Sequence, residues 1–490
     1  MKDRIAKSVF WMTWSRVALQ GISLLSTIMV ARLLSPTDYG LMALAGIWTG
    51  TIAVLAELGL GAAIVQFRDL DDRELNTCFW LTMSLAGLGY AALYMASPVL
   101  ATWFDSPRLS AVLRVAGLAL PLVALRVVPD GLLRRQIALD RVSRAEVAGA
   151  LVTIPVVLGL AWRGAGVWAL VAGSLTAPLI QTSFNFALVR WRPGLQIGGE
   201  KVKGILHYSL AILGTRLCWA VYEQADSFVL GKVSGADVLG FYSMAKQLAL
   251  LPVEKVSGMV NQLATPVMAE LQSDREALRA TFLKGVRLVA WTAFPLCIGM
   301  MMIARDLVET VLTEKWISAV PVIQVLCLYA LIRSLAVLLP PVLMAHFRGR
   351  FLLIYSAVLL TVMPVAFWIG GVLWGAVGVA IAWLVVYPAV LVSMVREALS
   401  EIELSITALG THLWPPCAAT LVMSATVLLT DWTASSWRHD LVVARLTLVI
   451  LLAVAVYGAT LFAYGGVARA ELQQLAHWLF RPGQASTAAK

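Results

Sequence analysis

The chain has 490 residues, 60% of them apolar and 13% charged, with a net charge of +10 and a mean hydropathy of +0.82. Ordinary soluble chains run about 45–50% apolar and about 25% charged, so this much charge cannot cover soluble domains of the same total length. The basic residues are scattered between apolar runs, which excludes nucleic acid as a partner. Five single cysteines (Cys78, Cys218, Cys297, Cys327, Cys417), with no CxxC or Cys/His cluster, exclude a zinc site and a disulfide framework. The composition is that of an all-α polytopic membrane protein.

Lys2, Arg4 and Lys7 precede an apolar run from Val9 to Leu34, too long for a signal-peptide core and without a small-residue cleavage site. It reads as the first membrane span. Taking about 20 mostly apolar residues per span, the sequence predicts spans at 9–34, 41–65, 77–103, 111–129, 146–162, 166–190 and 205–231. They continue at 238–268, 285–304, 320–345, 351–370, 374–395, 411–430 and 444–466, about 14 in all.

Loop charges orient them. With the amino terminus inside, the cytoplasmic segments hold Arg68, Arg73, Arg134, Arg135, Arg141, Arg144, Arg190, Arg192, Lys201 and Lys203. The same side then takes Arg275, Arg279, Lys284, Arg287, Arg348, Arg350 and Arg396. The opposite loops carry only Arg108, Arg163, Lys232, Arg305, Lys315 and Arg438, so both termini are expected in the cytoplasm. No loop is long enough for an extramembrane domain, and GxxxxGK[ST], HExxH and GxSxG motifs are absent. The acids Asp69, Asp71, Asp72 and Glu74 read as a solvated loop countered by Arg68 and Arg73, since a metal-pyrophosphate site needs a second acidic cluster. No cofactor and no metal is expected.

An internal repeat organises the chain. Val30–Gly40, containing Ser35, Asp38 and Gly40, is echoed by Val229–Gly240, with Ser234 matching Ser35, Asp237 matching Asp38 and, after one inserted residue, Gly240 matching Gly40. In the preceding helices Arg16 falls on Arg216 and Thr27 on Ser227. A second echo relates Gly164-Ala-Gly166-Val-Trp-Ala to Gly375-Ala-Val-Gly378-Val-Ala. Transporters are commonly built from repeats. The expected division is an N-lobe of six helices at 1–200, a C-lobe of six at 201–396 and two further helices with a tail at 397–490, the lobes enclosing a central cavity.

Charge at bilayer depth is costly and normally faces a cavity or a partner. In the first span Thr13, Arg16, Gln20, Ser23 and Thr27 fall within about 80° of one another. Arg216 and Glu223 are nearly eclipsed in the seventh, with Asp226 about 60° away. Lys246, Glu254, Ser257 and Asn261 share a face of the eighth, with Lys255 elsewhere. Glu57 and Arg333 lie inside the second and tenth spans. The carboxylates Glu57, Glu223, Asp226 and Glu254 are candidates for ion pairing, for instance Glu223 with Arg216, or for ion coupling. Arg114, Arg126 and Arg445 lie near span ends and are expected to snorkel. Trp11, Trp103, Trp162, Trp191 and Trp414 suit an interfacial belt. Cations outnumber acids inside the spans, which suits an anionic substrate, and arginine forks onto paired phosphate oxygens. The expected substrate-binding set is therefore Arg16, Gln20, Arg216, Lys246, Asn261 and Arg333.

Ala31-Arg-Leu-Leu-Ser-Pro-Thr-Asp-Tyr-Gly-Leu-Met-Ala-Leu and Glu57-Leu-Gly-Leu-Gly-Ala-Ala-Ile-Val-Gln66 resemble the opening of the Wzx-type polysaccharide exporters. More narrowly, they resemble the colanic-acid exporter group of the multidrug/oligosaccharidyl-lipid/polysaccharide superfamily. Asp226-Ser-Phe-Val-Leu-Gly231 and Leu239-Gly-Phe-Tyr-Ser-Met-Ala-Lys-Gln-Leu-Ala extend the resemblance, which is specific over about 1–290. Where the family pattern often has a basic residue after the aspartate, this chain has Ser227. The resemblance implies two six-helix lobes and two carboxy-terminal helices in the bacterial inner membrane. It implies a monomer moving an undecaprenyl-pyrophosphate-linked oligosaccharide to the periplasmic leaflet, with polysaccharide polymerase and glycosyltransferases as partner enzymes. Competing readings are a cation-coupled drug antiporter, which would favour a cavity with excess acid, and a membrane glycosyltransferase or polymerase, which would need catalytic acids and usually a large periplasmic loop. A fourth is a non-transporting scaffold, whose intramembrane arginines would be freely replaceable.

Overall fold

A computed structural model describes residues 21–67, 69–136, 139–434 and 442–463. These form helices and connecting turns with no strand. Eleven helices are long and apolar enough to cross a membrane among the described residues. Two of them are 53 residues long and are broken inside, at Gly235 and at Trp374–Gly375. Residues 9–20 of the first expected span lie outside the described residues, so the figure of 14 stays an expectation. The expected fifth span, 146–162, is longer than its apolar run. Its helix begins at Leu139, because the charged turns around Asp140, Arg144 and Glu146 are helical as well.

The chain divides into two compact units, Met1–Ser243 and Met244–Lys490. In the first, α1 covers Gly21–Leu33, α2 Pro36–Glu57 and α3 Leu60–Gln66, then α4 Asp72–Trp103, α5 Arg108–Ala116 and α6 Ala119–Arg135. α7 (Leu139–Trp162), α8 (Val167–Leu188) and the first part of α9 (Val202–Glu270) complete it. The sequence explains each start. Ser35 caps α2 and exchanges hydrogen bonds with Asp38 in a capping box, with Pro36 in the first turn. The same Asp38 carboxylate accepts the Val167 amide at 3.0 Å and so caps α8 as well.

The acidic loop is also a helix start: Asp69, Asp71 and Asp72 are exposed as expected, whereas Glu74 is 4% exposed. Asp71 caps α4 and Glu74 closes the box at 3.1 Å. Glu74 also accepts the Lys201 amide at 3.0 Å, while Asn76, Thr77 and Trp80 hold the backbone of Gly194, Gln196 and Gly198. The segment between α8 and α9 is thus strapped along α4. Trp191, expected in an interfacial belt, is 9% exposed and packs edge-on against Phe79 at 5.7 Å.

The repeat is visible as a reciprocal contact. A Cβ on Gly40 would lie 1.7 Å from the Ala236 carbonyl oxygen, and one on Gly240 would lie 1.8 Å from the Pro36 carbonyl oxygen. Thr37 donates to Asp237, 200 residues on. Exchanging each residue for the one 200 positions away maps this set of contacts onto itself, so two copies of one turn meet about a local pseudo-two-fold axis. The register differs by one residue from the sequence alignment at the turn itself. Gly235, with φ +81°, takes the place opposite Ser35, which keeps the offset at 200 through the turn.

The second unit holds the rest of α9, α10 (Arg275–Leu307), α11 (Val320–Ala336), α12 (Leu339–Ala345), α13 (Gly349–Glu401), α14 (Ile406–Ala434) and α15 (Val442–Ala463). α13 is two helices folded at Trp374–Gly375, where Gly370 and Gly378 are in backbone contact. Gly375 (φ 58°, ψ −135°) has the conformation of Gly166 (φ 59°, ψ −133°), two residues away from the register of the second echo, which placed Gly375 on Gly164. α14 and α15 pack on α10 through Trp291, Ala419, Met423 and Tyr457, with the Tyr457 hydroxyl donating to the Trp291 carbonyl at 2.7 Å.

Candidate functional site

In the first unit one charged pair at span depth sits at a helix break. α2 ends as Leu58 and Gly59 turn left-handed (φ 52° and 74°), and α3 resumes one residue later. A Cβ on Gly59 would touch the Ser209 carbonyl at 3.0 Å and Ile212 at 3.4 Å, so the break lies tightly against α9. One helical turn beyond Ile212 stands Arg216. Its Nη1 meets Glu57 Oε1 at 3.0 Å, with the two side chains 44% and 32% exposed. An interrupted helix with a charged pair at its broken end is the kind of backbone that membranes tolerate where it lines a cavity.

The partner of Arg216 is therefore Glu57 rather than Glu223. Residues seven apart on a helix are about 10.5 Å apart along its axis, and the Leu58–Gly59 break brings a carboxylate much closer. Glu223 is exposed on α9. Asp226 is 0% exposed; its Oδ1 accepts from the Ser227 amide (2.6 Å) and hydroxyl (3.1 Å), and its Oδ2 accepts from the Tyr242 hydroxyl at 2.6 Å. Ser227, standing where a basic residue was the pattern, supplies neutral donors to that carboxylate.

A second polar line runs down α6. Arg126, Asp130 and Arg134 lie at i, i+4 and i+8 and share a face. Arg134 pairs with Asp130 at 2.8 Å, and Glu146 and Glu57 are within electrostatic reach of its guanidinium. Arg126 donates to the side-chain oxygen of Gln181 on α8. It does not snorkel, because an acceptor inside the unit lies nearer than the helix end. The other two arginines assigned to span ends are also held internally. Arg114 donates to Ser97 at 2.9 Å and stacks 4.6 Å over Tyr94, and Arg445 meets Asp306 at 3.0 Å.

In the second unit Lys246 sits 5.7 Å from the centre of the Trp383 ring. Trp383 belongs to a buried aromatic cluster with Tyr329 (4.7 Å), Phe367 (4.9 Å) and Tyr387 (6.2 Å). Arg333, one turn from Tyr329 on α11, is within electrostatic reach of Tyr387. The two expected cations of this unit thus border one aromatic cluster, which orients an ammonium without neutralising it. Glu254 is exposed on α9. Arg16, Gln20 and the side chain of Asn261 lie outside the described residues.

Sequence reasoning missed Gln181 and underrated Arg126, Asp130 and Arg134. The i, i+4, i+8 spacing on α6 was the available signal. Gln181 had none, since its partner comes from a different helix.

Residues 29–321 match the family model described as polysaccharide biosynthesis protein. The chain is 25% identical over 404 residues to the lipopolysaccharide biosynthesis protein WzxC of Escherichia coli (strain K12), covering 79% of each chain. Among solved structures it resembles the lipid II flippase MurJ in an inward closed conformation, with a TM-score of 0.75 and 12% identity over 92% of this chain and 98% of that one. It also resembles an inward-facing multidrug resistance MATE transporter, with a TM-score of 0.65 and 16% identity over 78% of this chain and 95% of that one. These structural likenesses establish the fold.

Proposed function

We infer the function of this chain from a premise: it belongs to the polysaccharide biosynthesis protein family. It is a multi-pass membrane transporter and not an enzyme. The substrate we propose is an undecaprenyl-pyrophosphate-linked oligosaccharide, an exopolysaccharide or O-antigen-type repeat unit, moved from the cytoplasmic to the periplasmic leaflet by alternating access. The fold is shared by lipid and drug transporters alike, so it does not choose between them. Sequence similarity to WzxC and the arginine-rich spans favour the lipid-linked sugar.

The observation that carries the reading is the Arg216–Glu57 pair at the Leu58–Gly59 break. A pyrophosphate oxygen can replace the Glu57 carboxylate on the guanidinium, since both are paired-oxygen anions. Lys246 and Arg333 in the second unit, and Arg16, Gln20 and Asn261, complete the proposed substrate contacts. Glu57, Glu223, Asp226 and Glu254 are the proposed ion-pair or coupling groups. Moving a charge of about −2 outward across an inside-negative membrane gains roughly 4–5 kcal/mol per 100 mV. The finer parts of the proposal are an inner-membrane location, both termini in the cytoplasm, a monomer, and polymerase and glycosyltransferases as neighbouring enzymes. The division into 1–200, 201–396 and 397–490 belongs to it too.

The test is a deletion strain in which the leaflet of the radiolabelled lipid-linked unit and the polymer in the medium are measured together. Flipping predicts loss of polymer with the complete unit held on the cytoplasmic side. A unit that reaches the periplasmic side unpolymerised would sink the reading.

A further inference from the structure

The arginines of the first unit at span depth are not equivalent. Arg216 has its charge matched by Glu57 at 3.0 Å, and Arg134 has its charge matched by Asp130 at 2.8 Å. Arg126, like Arg114 with Ser97 and the Tyr94 ring nearer a span end, has a neutral partner instead. It lies nine residues, about 13.5 Å, inside the carboxy-terminal end of α6, is half-buried, and has the neutral amide oxygen of Gln181 as its partner among the described residues. Gln181 is itself held in place: a Cβ on Gly149 of α7 would lie 3.0 Å from its Cγ and 3.1 Å from its Nε2, so the amide rests on bare α7 backbone with its oxygen turned to Arg126.

Such an arrangement fixes the guanidinium without cancelling its charge. A half-buried unmatched cation at this depth is expensive and is normally retained for an anion or an ion pathway. A guanidinium has five N–H donors, and Gln181 accepts one. The remaining fork fits two oxygens of one phosphate. The face of α6 that carries Arg126 also carries Asp130 and Arg134, and it meets α8 through Gln181.

We propose that Arg126, positioned by Gln181 over Gly149, binds a phosphate of the substrate as a further anion contact of the first unit beside Arg216. The assignment rests on the lipid-linked substrate proposed above. The same chemistry would take an anionic phospholipid headgroup, so the test separates the two sources.

The purified full chain in nanodiscs is titrated with undecaprenyl pyrophosphate and, separately, with phosphatidylglycerol, by native mass spectrometry. Arg126→Gln and Gln181→Glu are each expected to weaken undecaprenyl pyrophosphate binding roughly tenfold, with Arg126→Lys between them and the wild type. Phosphatidylglycerol binding is expected to stay unchanged. Gln181→Glu is the decisive variant: it keeps the shape and the guanidinium and adds the missing counter-charge, so a purely structural Arg126 would leave binding intact and the protein no less stable. Wild-type binding that Gln181→Glu leaves unaltered overturns the assignment while sparing the function. Loss of phosphatidylglycerol binding alone makes it a headgroup site and overturns it too. A wild type that does not bind undecaprenyl pyrophosphate overturns the function itself, and the assignment with it.

Discussion

The Glu57 carboxylate oxygen lies 2.9 Å from where a Cβ on residue 61 would stand, so it is the bare Gly61 that leaves room for Glu57 to meet Arg216. Gly61→Ala should push the carboxylate off Arg216 and lower export several-fold, as should Glu57→Gln. The effect on stability should be small, since a half-exposed ion pair contributes about 0–1 kcal/mol. Polymer in the medium and protein level by immunoblot, in a complemented deletion strain, read the two separately. Full export from Gly61→Ala would show that the pair is dispensable.

Gly40 and Gly240 occupy equivalent places in one reciprocal contact, so alanine at either should act alike. Each added methyl would lie within 2 Å of a backbone carbonyl oxygen, which no side-chain rotation relieves. Each single substitution is expected to destabilise by roughly 1–3 kcal/mol. Thermal melting of the detergent-solubilised protein, followed by tryptophan fluorescence, measures this. A large loss from one glycine and none from the other would contradict the pseudo-two-fold contact.

The hydrogen bonds to Asp226 rank its neighbours. Tyr242→Phe removes a donor from a fully buried carboxylate and should cost about 1–3 kcal/mol. Ser227→Ala removes the longer hydroxyl contact but keeps the 2.6 Å amide, and should cost less, about 0.5–1.5 kcal/mol. The order of the two melting temperatures is the check.

Arg445 and Asp306 tie α15 to the end of α10, each 23% exposed at 3.0 Å. A double-mutant cycle with Arg445→Gln and Asp306→Asn should give a coupling of about 1 kcal/mol or more, above the range for fully exposed pairs. Coupling near zero would mean that the apolar packing around Trp291, Met423 and Tyr457 holds α15 without help from this pair.

The sequence alone determined the class of protein, most of the spans, the repeat and the family. All of these rest on composition, on apolar periodicity or on local turn chemistry, which a chain carries residue by residue. Ser35, Pro36 and Asp38 announce a helix start wherever they fold. Asp71 and Glu74 have the same three-residue spacing and are as legible as a cap; what the spacing does not show is that Glu74 also holds the Lys201 amide. What only the tertiary structure decided is which charge meets which. Arg216 met Glu57 across 159 residues, and Arg126 met Gln181 across 55. Helical spacing ranks partners on one helix alone, whereas a backbone break such as Leu58–Gly59, or a bare glycine such as Gly149, sets distances between helices that no periodicity encodes.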